Sequence, residues 1–285
     1  MSVSDKQVEV IAEKASKIRQ TVIEMLVAAG SGHTAGPLGM ADIFAAFYFH
    51  ILHHDPHNPS MEDRDRLVLS NGHITPVRYA ALAHAGYFPV EECLTLRKFG
   101  TRLQGHPEKS KLPSVETTSG PLGSGLGQAA GIAYGARMDG KKFRTYCLMS
   151  DGEQDTGNIW ESAMFAGANK LSNLTAIIDR NNIQINGMTE QVMPLESLRA
   201  KYEAFGWHAI EIDGHNIEAF CDATEQAKAI YEKPTVIIAH TIPGKGIKEI
   251  EFDYTWHGKP PSKEEAAKFL SELRTLKGKI VGEHQ

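Results

Sequence analysis

The sequence predicts an α/β protein whose parallel sheet is covered by helices on both faces. Short apolar segments alternate with amphipathic or small-residue segments of helical length, which is typical of strands joined by helical crossovers. Two segments, 144–149 and 174–179, consist mostly of apolar residues, as strands buried on both sides do. No repeat, low-complexity tract or linker interrupts residues 1–285, so we expect a single domain that ends in a helical tail at about 262–285.

The chain begins with a predicted amphipathic helix. Ser4 and Gln7 match a capping box, in which side chains satisfy backbone donors at the start of a helix. Apolar residues recur every three or four positions from Val8 to Met25, so one face of this helix is apolar. We expect the helix to end at Gly30, because glycine is a common helix stop signal.

The remaining elements follow from periodicity and turn residues. Residues 102–127 lack periodicity and are rich in glycine, proline and serine, which predicts a long irregular segment with a functional role. The other predicted elements are, in chain order, a helix over 40–51, a strand over 67–70, the strand 144–149, a helix over 158–171, the strand 174–179, a helix over 195–205, a strand over 208–212, a helix over 217–231 and a strand over 235–240.

Polar residues at the ends of the two apolar strands predict an anchor for a metal ion and a diphosphate. Asp151-Gly152 follows the first strand and Asn181-Asn182 follows the second. A carboxylate and an amide suit a hard divalent cation, while glycine lets a diphosphate approach the backbone. The intervening helix would direct its N-terminus toward the anion. Taken singly, both dipeptides are ordinary turn sequences, so the interpretation depends on their spacing and context.

Four histidines that each adjoin a glycine form a second candidate group. Glycine beside an imidazole leaves room for a ligand, and histidine can bind phosphate and transfer protons near neutral pH. A single Gly-His pair is more often part of a surface loop, and we assign Gly214-His215 to that class because a helix start follows it. The four candidates are His33, His73, His106 and His257.

Two glycine-rich segments do not match nucleotide-binding motifs. Residues 120–127 are followed by Gln128, where a dinucleotide fingerprint needs glycine, and no convincing strand precedes them. Residues 243–246 lack the upstream glycine and the following hydroxyl residue of a Walker sequence. We therefore interpret 120–127 as backbone shaped around a flat ligand.

Composition and charge narrow the class of protein. With 41% hydrophobic and 23% charged residues, the chain is typical of globular proteins. Its net charge of −5 without a long basic run argues against nucleic acid or an anionic membrane as partner. The charged N-terminus does not resemble a signal peptide, and no segment reaches transmembrane length. The cysteines, Cys93, Cys147 and Cys221, are too widely spaced for a disulfide framework or a zinc site, so we expect a cytoplasmic protein.

Several stretches resemble the transketolase group of thiamine diphosphate enzymes. The spacing of Asp151-Gly152 and Asn181 matches the cofactor motif that thiamine diphosphate enzymes share. The resemblance implies the diphosphate-binding domain of the thiamine diphosphate-binding fold and a role in carbohydrate metabolism of the pentose phosphate type. The stretches similar to transketolase itself run in family order over roughly residues 10–260, and they are SGHTAGPLGMAD, LVLSNGH, QGHPE, TTSGPLGSGLG and WHGKPP.

The resemblance also implies an enzyme that a second chain completes. A full-length transketolase continues with a pyrimidine-binding domain and a C-terminal domain, whereas this chain resembles the N-terminal subunit of a split transketolase. The implied assembly with a pyrimidine-domain subunit is an α2β2 heterotetramer, and the chain alone would be inactive. The implied reaction transfers a two-carbon glycolaldehyde unit from a ketose or ketose phosphate to an aldose or aldose phosphate.

The resemblance assigns the metal and cofactor contacts residue by residue. Asp151 and Asn181 would hold Mg²⁺, or Ca²⁺ or Mn²⁺, through their side chains, and Ile183 through its backbone carbonyl. Gly152 would lie against the diphosphate. The residues that would contact the remainder of thiamine diphosphate are His73, Gly120, Pro121, Leu122 and His257.

The resemblance assigns catalysis to the four histidines beside glycine. They would surround the reactive carbon of the cofactor and the substrate hydroxyls, where they would stabilise oxyanions and transfer protons. Two departures from the family pattern bear on this assignment. Thr34-Ala35 follows His33 where the family has Pro-Gly, which changes the stiffness of the loop, and Thr156 stands where the family has a glutamate that contacts the partner's activating glutamate.

Two other function classes stay open at this point. One is a different thiamine diphosphate reaction, such as that of a deoxyxylulose-phosphate-type synthase or a 2-oxo-acid dehydrogenase α subunit, and the segments GPLGSG and QGHPE argue against it. The other is a non-catalytic subunit that binds cofactor, for which Thr156 is the only indication. A measurement of two-carbon transfer by the assembled protein would distinguish the three function classes.

Overall fold

The centre of the molecule is a five-stranded sheet whose neighbouring strands are all parallel. The computed structural model describes residues 3–275. The strands are β1 (Arg66–Leu69), β2 (Thr145–Ser150), β3 (Leu174–Arg180), a separate antiparallel hairpin of β4 (Ile183–Gln184) and β5 (Gly187–Met188), then β6 (His208–Asp213) and β7 (Thr235–His240). In the sheet their order is β1, β2, β3, β7, β6. Every predicted strand is confirmed to within one residue at each end.

Helices cover both faces of the sheet, as predicted. Successive strand residues enter opposite cores, so Tyr146 and Leu148 lie in one apolar cluster and Cys147 and Met149 in the other. The first cluster is completed by α1 (Asp5–Ala29), α2 (Ala35–Gly39), α3 (Ala41–Ala46), α4 (Thr75–His84), α9 (Ile217–Ala229) and α10 (Lys263–Thr275). The second is completed by α5 (Ser124–Met138), α6 (Gly157–Ala168) and α8 (Leu198–Ala204), while the short α7 (Thr189–Val192) follows the hairpin.

The opening helix forms as its sequence predicts. The Ser4 hydroxyl accepts a hydrogen bond from the Gln7 backbone N–H at 3.3 Å, which caps the N-terminus of α1. Gly30 ends the helix in the left-handed region with φ of 64°, and its N–H donates to the Leu26 carbonyl at 2.9 Å. The apolar face, including Ile11 and Ile18, is fully buried against the sheet side of the molecule.

One long helix was not predicted, because its glycines weaken the helical pattern. α5 begins at Ser124, inside the segment 102–127 for which we expected irregular backbone. A Cβ atom at Gly125 would clash with Ser70, so this glycine lets the helix approach the end of β1 closely. Tertiary packing therefore outweighs the low intrinsic helix propensity of this segment.

The other predicted helices occur where they were expected, with ends that differ by up to three residues, whereas α2, α4 and α7 were not predicted. The predicted helix 40–51 consists of α3 and a π-helical turn over Phe47–Ile51. α8 begins at Leu198 because the Ser197 hydroxyl accepts from the Ala200 N–H and caps it. α10 lies within the predicted tail, of which residues 276–285 fall outside the described residues. No helix in the described part of the chain is long and apolar enough to cross a membrane.

Candidate active site

The candidate site lies at the carboxyl edge of the sheet, where β2 and β3 end side by side. Ser150 pairs with Asp179 in the parallel register, so Asp151 and Asn181 follow neighbouring strand ends. Open parallel sheets bind ligands at this edge. A cavity of about 210 Å³ opens there, and the predicted residues that line it are His73, Leu122, Gly152, Asn181, Ile183 and His257.

Asp151 is fully buried and held by several donors. Its Oδ1 atom accepts from the Gly152 N–H at 2.7 Å, and its Oδ2 atom accepts from the Asn182 N–H at 2.7 Å. The Arg180 guanidinium donates to Oδ2 at 3.1 Å. Burial raises the pKa of Asp151, while Arg180 and the backbone donors act in the opposite direction. The carboxylate is thus fixed in orientation, directly before the cavity-lining Gly152.

Asn181 is oriented by a second buried carboxylate. Its amide Nδ2 donates to Asp179 Oδ2 at 2.8 Å, and its Oδ1 accepts from the Ile183 N–H at 3.0 Å. Burial raises the pKa of Asp179 to about 7, whereas hydrogen bonds from Thr241 and Asn181 lower it. Because the amide NH₂ group is committed to Asp179, the amide oxygen is the atom that remains available to a cation.

The residues at this edge fit a divalent cation with a diphosphate. Asp151, Asn181 and the Ile183 carbonyl offer a carboxylate, an amide and a carbonyl oxygen, which is a hard-oxygen donor set. A Cβ atom at Gly152 would approach Gln184 Cγ to 3.0 Å, so glycine keeps this backbone open to a ligand. No cluster of three or more His, Cys, Asp or Glu side chains suited to a metal occurs in residues 3–275. The predicted donor set differs from such a cluster, because only one of its three members is a side chain of these types.

Three of the four predicted histidines form a compact group. The ring centroids of His33 and His73 are 4.8 Å apart, those of His73 and His257 are 5.2 Å apart, and those of His33 and His257 are 5.4 Å apart. Burial lowers the pKa of all three, and that of His33 to about 4. At neutral pH the group therefore consists of neutral imidazoles that can accept protons.

His106 lies apart from this group, on the far side of Gly72. Its Cδ2 atom is 3.2 Å from the position of a Cβ atom at Gly72, and its side chain lines a neighbouring open cavity with Arg97 and Ser119. It is exposed, and burial followed by the charge of Arg97 lowers its pKa. The structure thus places His106 in a neighbouring cavity rather than in the histidine group.

The segment Gly120-Pro121-Leu122 contributes one side chain to the cavity. Leu122 lines it and is 43% exposed, which is high for a large apolar side chain. Gly120 and Pro121 do not line the cavity, and a Cβ atom at Gly120 would meet nothing within 4 Å. The glycine that is required sterically is Gly123, which has a φ of 84° and leaves no space for a Cβ atom beside Thr156.

The two departures from the family pattern have definite structural roles. The Thr34 hydroxyl donates to the Lys259 carbonyl at 2.6 Å and so ties the loop of His33 to the loop of His257. The Thr156 hydroxyl donates to the Glu153 carbonyl at 2.9 Å. Thr156 therefore stabilises the turn after β2 and provides no carboxylate there.

Glu153 is a site residue that the sequence pattern did not predict. Its buried carboxylate accepts from the Ser70 hydroxyl, from the Gly123 N–H at 2.8 Å and from the Ser150 N–H at 3.0 Å. It lines the cavity and joins β1, β2 and the glycine-rich segment, and burial raises its pKa. Its position directly after Asp151-Gly152 is the sequence signal that could have identified it as a site residue. The other lining residues not predicted are Gly36, Ser150, Gln184, Ile185 and Asn186.

Comparisons with known proteins agree with this geometry. Residues 10–275 match the family model described as transketolase, thiamine diphosphate binding domain. The chain is 44% identical over 85% of its length to a 6-deoxy-6-sulfo-D-fructose transketolase subunit from Clostridium sp., covering 88% of that protein. It is 39% identical over 94% of its length to an apulose-4-phosphate transketolase subunit from Phocaeicola vulgatus, covering 95% of that protein.

A solved structure shows the same fold within a longer chain. A transketolase variant from Pichia stipitis superposes with a TM-score of 0.88 at 33% identity, over 94% of this chain. The match covers 41% of that protein, so this chain spans less than half the length of the transketolase to which it is similar.

Proposed function

Because the chain belongs to the family of transketolase thiamine diphosphate-binding domains, we propose that it is the diphosphate-binding subunit of a transketolase whose remaining domains lie on a partner chain. Two relatives that it matches over 88% and 95% of their length are named as transketolase subunits, which supports this proposal. The proposed assembly is an α2β2 heterotetramer in the cytoplasm. The proposed reaction moves a two-carbon unit from a ketose to an aldose, and sugar phosphates are the substrate class expected.

One observation carries the proposal: two members of the metal-type donor set, Asn181 and Ile183, and two of the three grouped histidines line one cavity. His73 and His257 line that cavity together with Gly152 and Asn181. Thiamine diphosphate, when bound, supplies the electron sink that lets a carbon–carbon bond beside a ketone break. Asp151, Asn181 and the Ile183 carbonyl would hold the divalent cation, and the Gly152 backbone would face the diphosphate.

The histidines would handle protons at the substrate oxygens. His33, His73 and His257 are neutral at pH 7, because burial lowers the pKa of each of them. A neutral imidazole can take a proton from a hydroxyl and return it later in the cycle. His106, in the neighbouring cavity, would contact the substrate rather than the cofactor.

The proposal is tested by reconstitution. The purified chain would be mixed with a pyrimidine-domain transketolase subunit from the same organism, thiamine diphosphate and Mg²⁺, and two-carbon transfer from ketose donors to aldose acceptors would be measured. We expect transfer by the mixture and none by either chain alone. Transfer by this chain alone would contradict the need for a partner. Decarboxylation of a 2-oxo acid without transfer would indicate another reaction, and cofactor binding without turnover would indicate a non-catalytic subunit.

A further inference from the structure

A buried arginine connects the predicted metal ligand to the segment that follows the β4–β5 hairpin. Arg180 is the last residue of β3, and its side chain is 3% exposed. Its guanidinium donates to Asp151 at 3.1 Å, to Glu190 in α7 at 2.5 Å and to Glu196 at 2.9 Å. Arginine can satisfy several carboxylates at once because its five N–H donors lie in a fixed plane.

The two oxygens of Asp151 have different surroundings. Oδ2 accepts from Arg180, from the Asn182 N–H and from the Thr189 hydroxyl, the last at 3.4 Å. Oδ1 accepts from the Gly152 N–H. A carboxylate oxygen has two lone-pair positions, so Oδ1 keeps one for a cation while Oδ2 is occupied by protein donors.

The charges of the group also suit a divalent cation. One guanidinium, that of Arg180, faces three carboxylates, those of Asp151, Glu190 and Glu196, which leaves two formal negative charges. Glu190 and Glu196, whose side chains are 39% and 56% exposed, also form ion pairs with the guanidinium. The positive charge of Arg180 is therefore shared among three carboxylates. Arg180 can therefore orient Asp151 without fully neutralising it.

We propose that Arg180 is a positioning residue for the metal ligand Asp151: it fixes Oδ2 so that Oδ1 faces the cation, and it makes cation binding depend on docking of residues 189–196. This inference rests on the proposed cofactor function. Glu190 and Glu196 hold the guanidinium from the other side, so the metal site and this segment form one hydrogen-bonded unit.

Metal binding can be measured without turnover. The assembly of this chain with its partner subunit would be titrated with Mn²⁺ in the presence of thiamine diphosphate, and free Mn²⁺ would be followed by electron paramagnetic resonance. For Arg180→Met we expect the half-saturating Mn²⁺ concentration to rise about tenfold, since loss of an outer contact to a ligand typically costs roughly 10- to 100-fold in affinity. Arg180→Lys, which keeps the charge, should recover part of the loss. Arg199→Met, which removes the exposed Arg199–Glu203 pair, is the matched control and should bind as wild type does.

A second variant keeps the test valid if Arg180→Met does not fold. The double variant Glu190→Gln and Glu196→Gln retains Arg180 but releases it from its outer partners, and both changed side chains are partly exposed. We expect at least a threefold rise in half-saturation. Wild-type or tighter Mn²⁺ binding by either variant would overturn the inference. If the wild-type assembly with the partner subunit binds neither Mn²⁺ nor thiamine diphosphate, the proposed function fails instead.

Discussion

The two sides of the cavity differ in how completely the chain satisfies its own polar groups. On the strand-end side, Asp151 and Asn181 are buried and hydrogen-bonded within the protein. On the histidine side, His33 Nδ1, both polar side-chain atoms of Asn71 and the Ser119 hydroxyl are buried without a partner. Buried polar atoms without partners are rare in native proteins, and ligands or ordered water usually satisfy them.

The difference indicates that the two sides of the cavity have different functions. The strand-end side is preorganised by the chain, so the proposed cation and diphosphate would bind there without rearrangement of these side chains. The histidine side keeps donors and acceptors free, which is what a site for a changing set of substrate oxygens needs. Substitutions on the first side should therefore affect cofactor binding, and those on the second side should affect turnover.

The largest effect is expected on the strand-end side. Asp151→Asn keeps the shape of the side chain but removes its charge, and we expect it to abolish Mg²⁺-dependent binding of thiamine diphosphate in calorimetry. The domain should stay folded, because the amide oxygen can still accept one of the two backbone N–H bonds, that from Gly152 or that from Asn182. The control is Asp155→Asn, which changes a nearby carboxylate that accepts a hydrogen bond from the Gln184 side chain. Unchanged affinity in Asp151→Asn would remove Asp151 from the metal site.

The next effect concerns His106 in the neighbouring cavity. His106→Ala should leave the affinity for thiamine diphosphate nearly unchanged and lower turnover of the reconstituted enzyme by roughly 100-fold, the lower range for a general acid or base. The reason is that His106 lines the neighbouring cavity with Arg97 and not the cofactor cavity. A wild-type rate with several ketose donors would place His106 outside the active site.

A smaller effect should appear in the pH dependence of stability. The pKa of His33 is lowered to about 4 by burial from an ordinary value near 6.5, so the unfolded chain binds this proton more readily. His33 therefore contributes stability above pH 6.5 that is lost as the pH falls toward 4, by at most about 1.4 kcal/mol per pH unit. Urea unfolding between pH 4.5 and 7 would measure this slope.

The matching variant isolates that contribution. His33→Gln should flatten the decline of the unfolding free energy below pH 6.5, whereas His57→Gln, at an exposed position outside the cavity, controls for the loss of a histidine. A slope equal to that of the wild type in His33→Gln would mean that other groups account for the decline. Such a result would mean that protonation of His33 does not cause the loss of stability at low pH.

The sequence predicts the strand-end side better than the rest of the site. Apolar runs mark β2 and β3, and parallel strands bring their carboxyl ends together, so Asp151 and Asn181 become neighbours for reasons visible in the pattern. α5 escapes prediction because its glycines lower the helix propensity of the segment, and one of them, Gly125, allows close packing against Ser70.

Contacts across long sequence distances set the other features. Glu153 gains its role from Ser70 and Gly123, which no local pattern connects to it. His106 shares the Gly-His pattern with three other histidines, but the path of its loop places it in the neighbouring cavity. Local sequence thus identifies residue types suited to the chemistry, while tertiary contacts decide which of them share a cavity.

The smallest effect tests how the histidine side is held together. Thr34→Val removes the hydrogen bond from the Thr34 hydroxyl to the Lys259 carbonyl, and a typical bond of this kind contributes about 1 kcal/mol to stability. Thr224→Val is a matched control, because the Thr224 hydroxyl donates to the Cys221 carbonyl at 2.7 Å inside α9, away from the cavity. Both variants should lose similar stability, but only Thr34→Val should also lower turnover, by about threefold, since the loops of His33 and His257 then move independently. Thr34→Ser should restore the rate. Equal turnover in the two valine variants would show that this bond supports the fold without positioning the histidines.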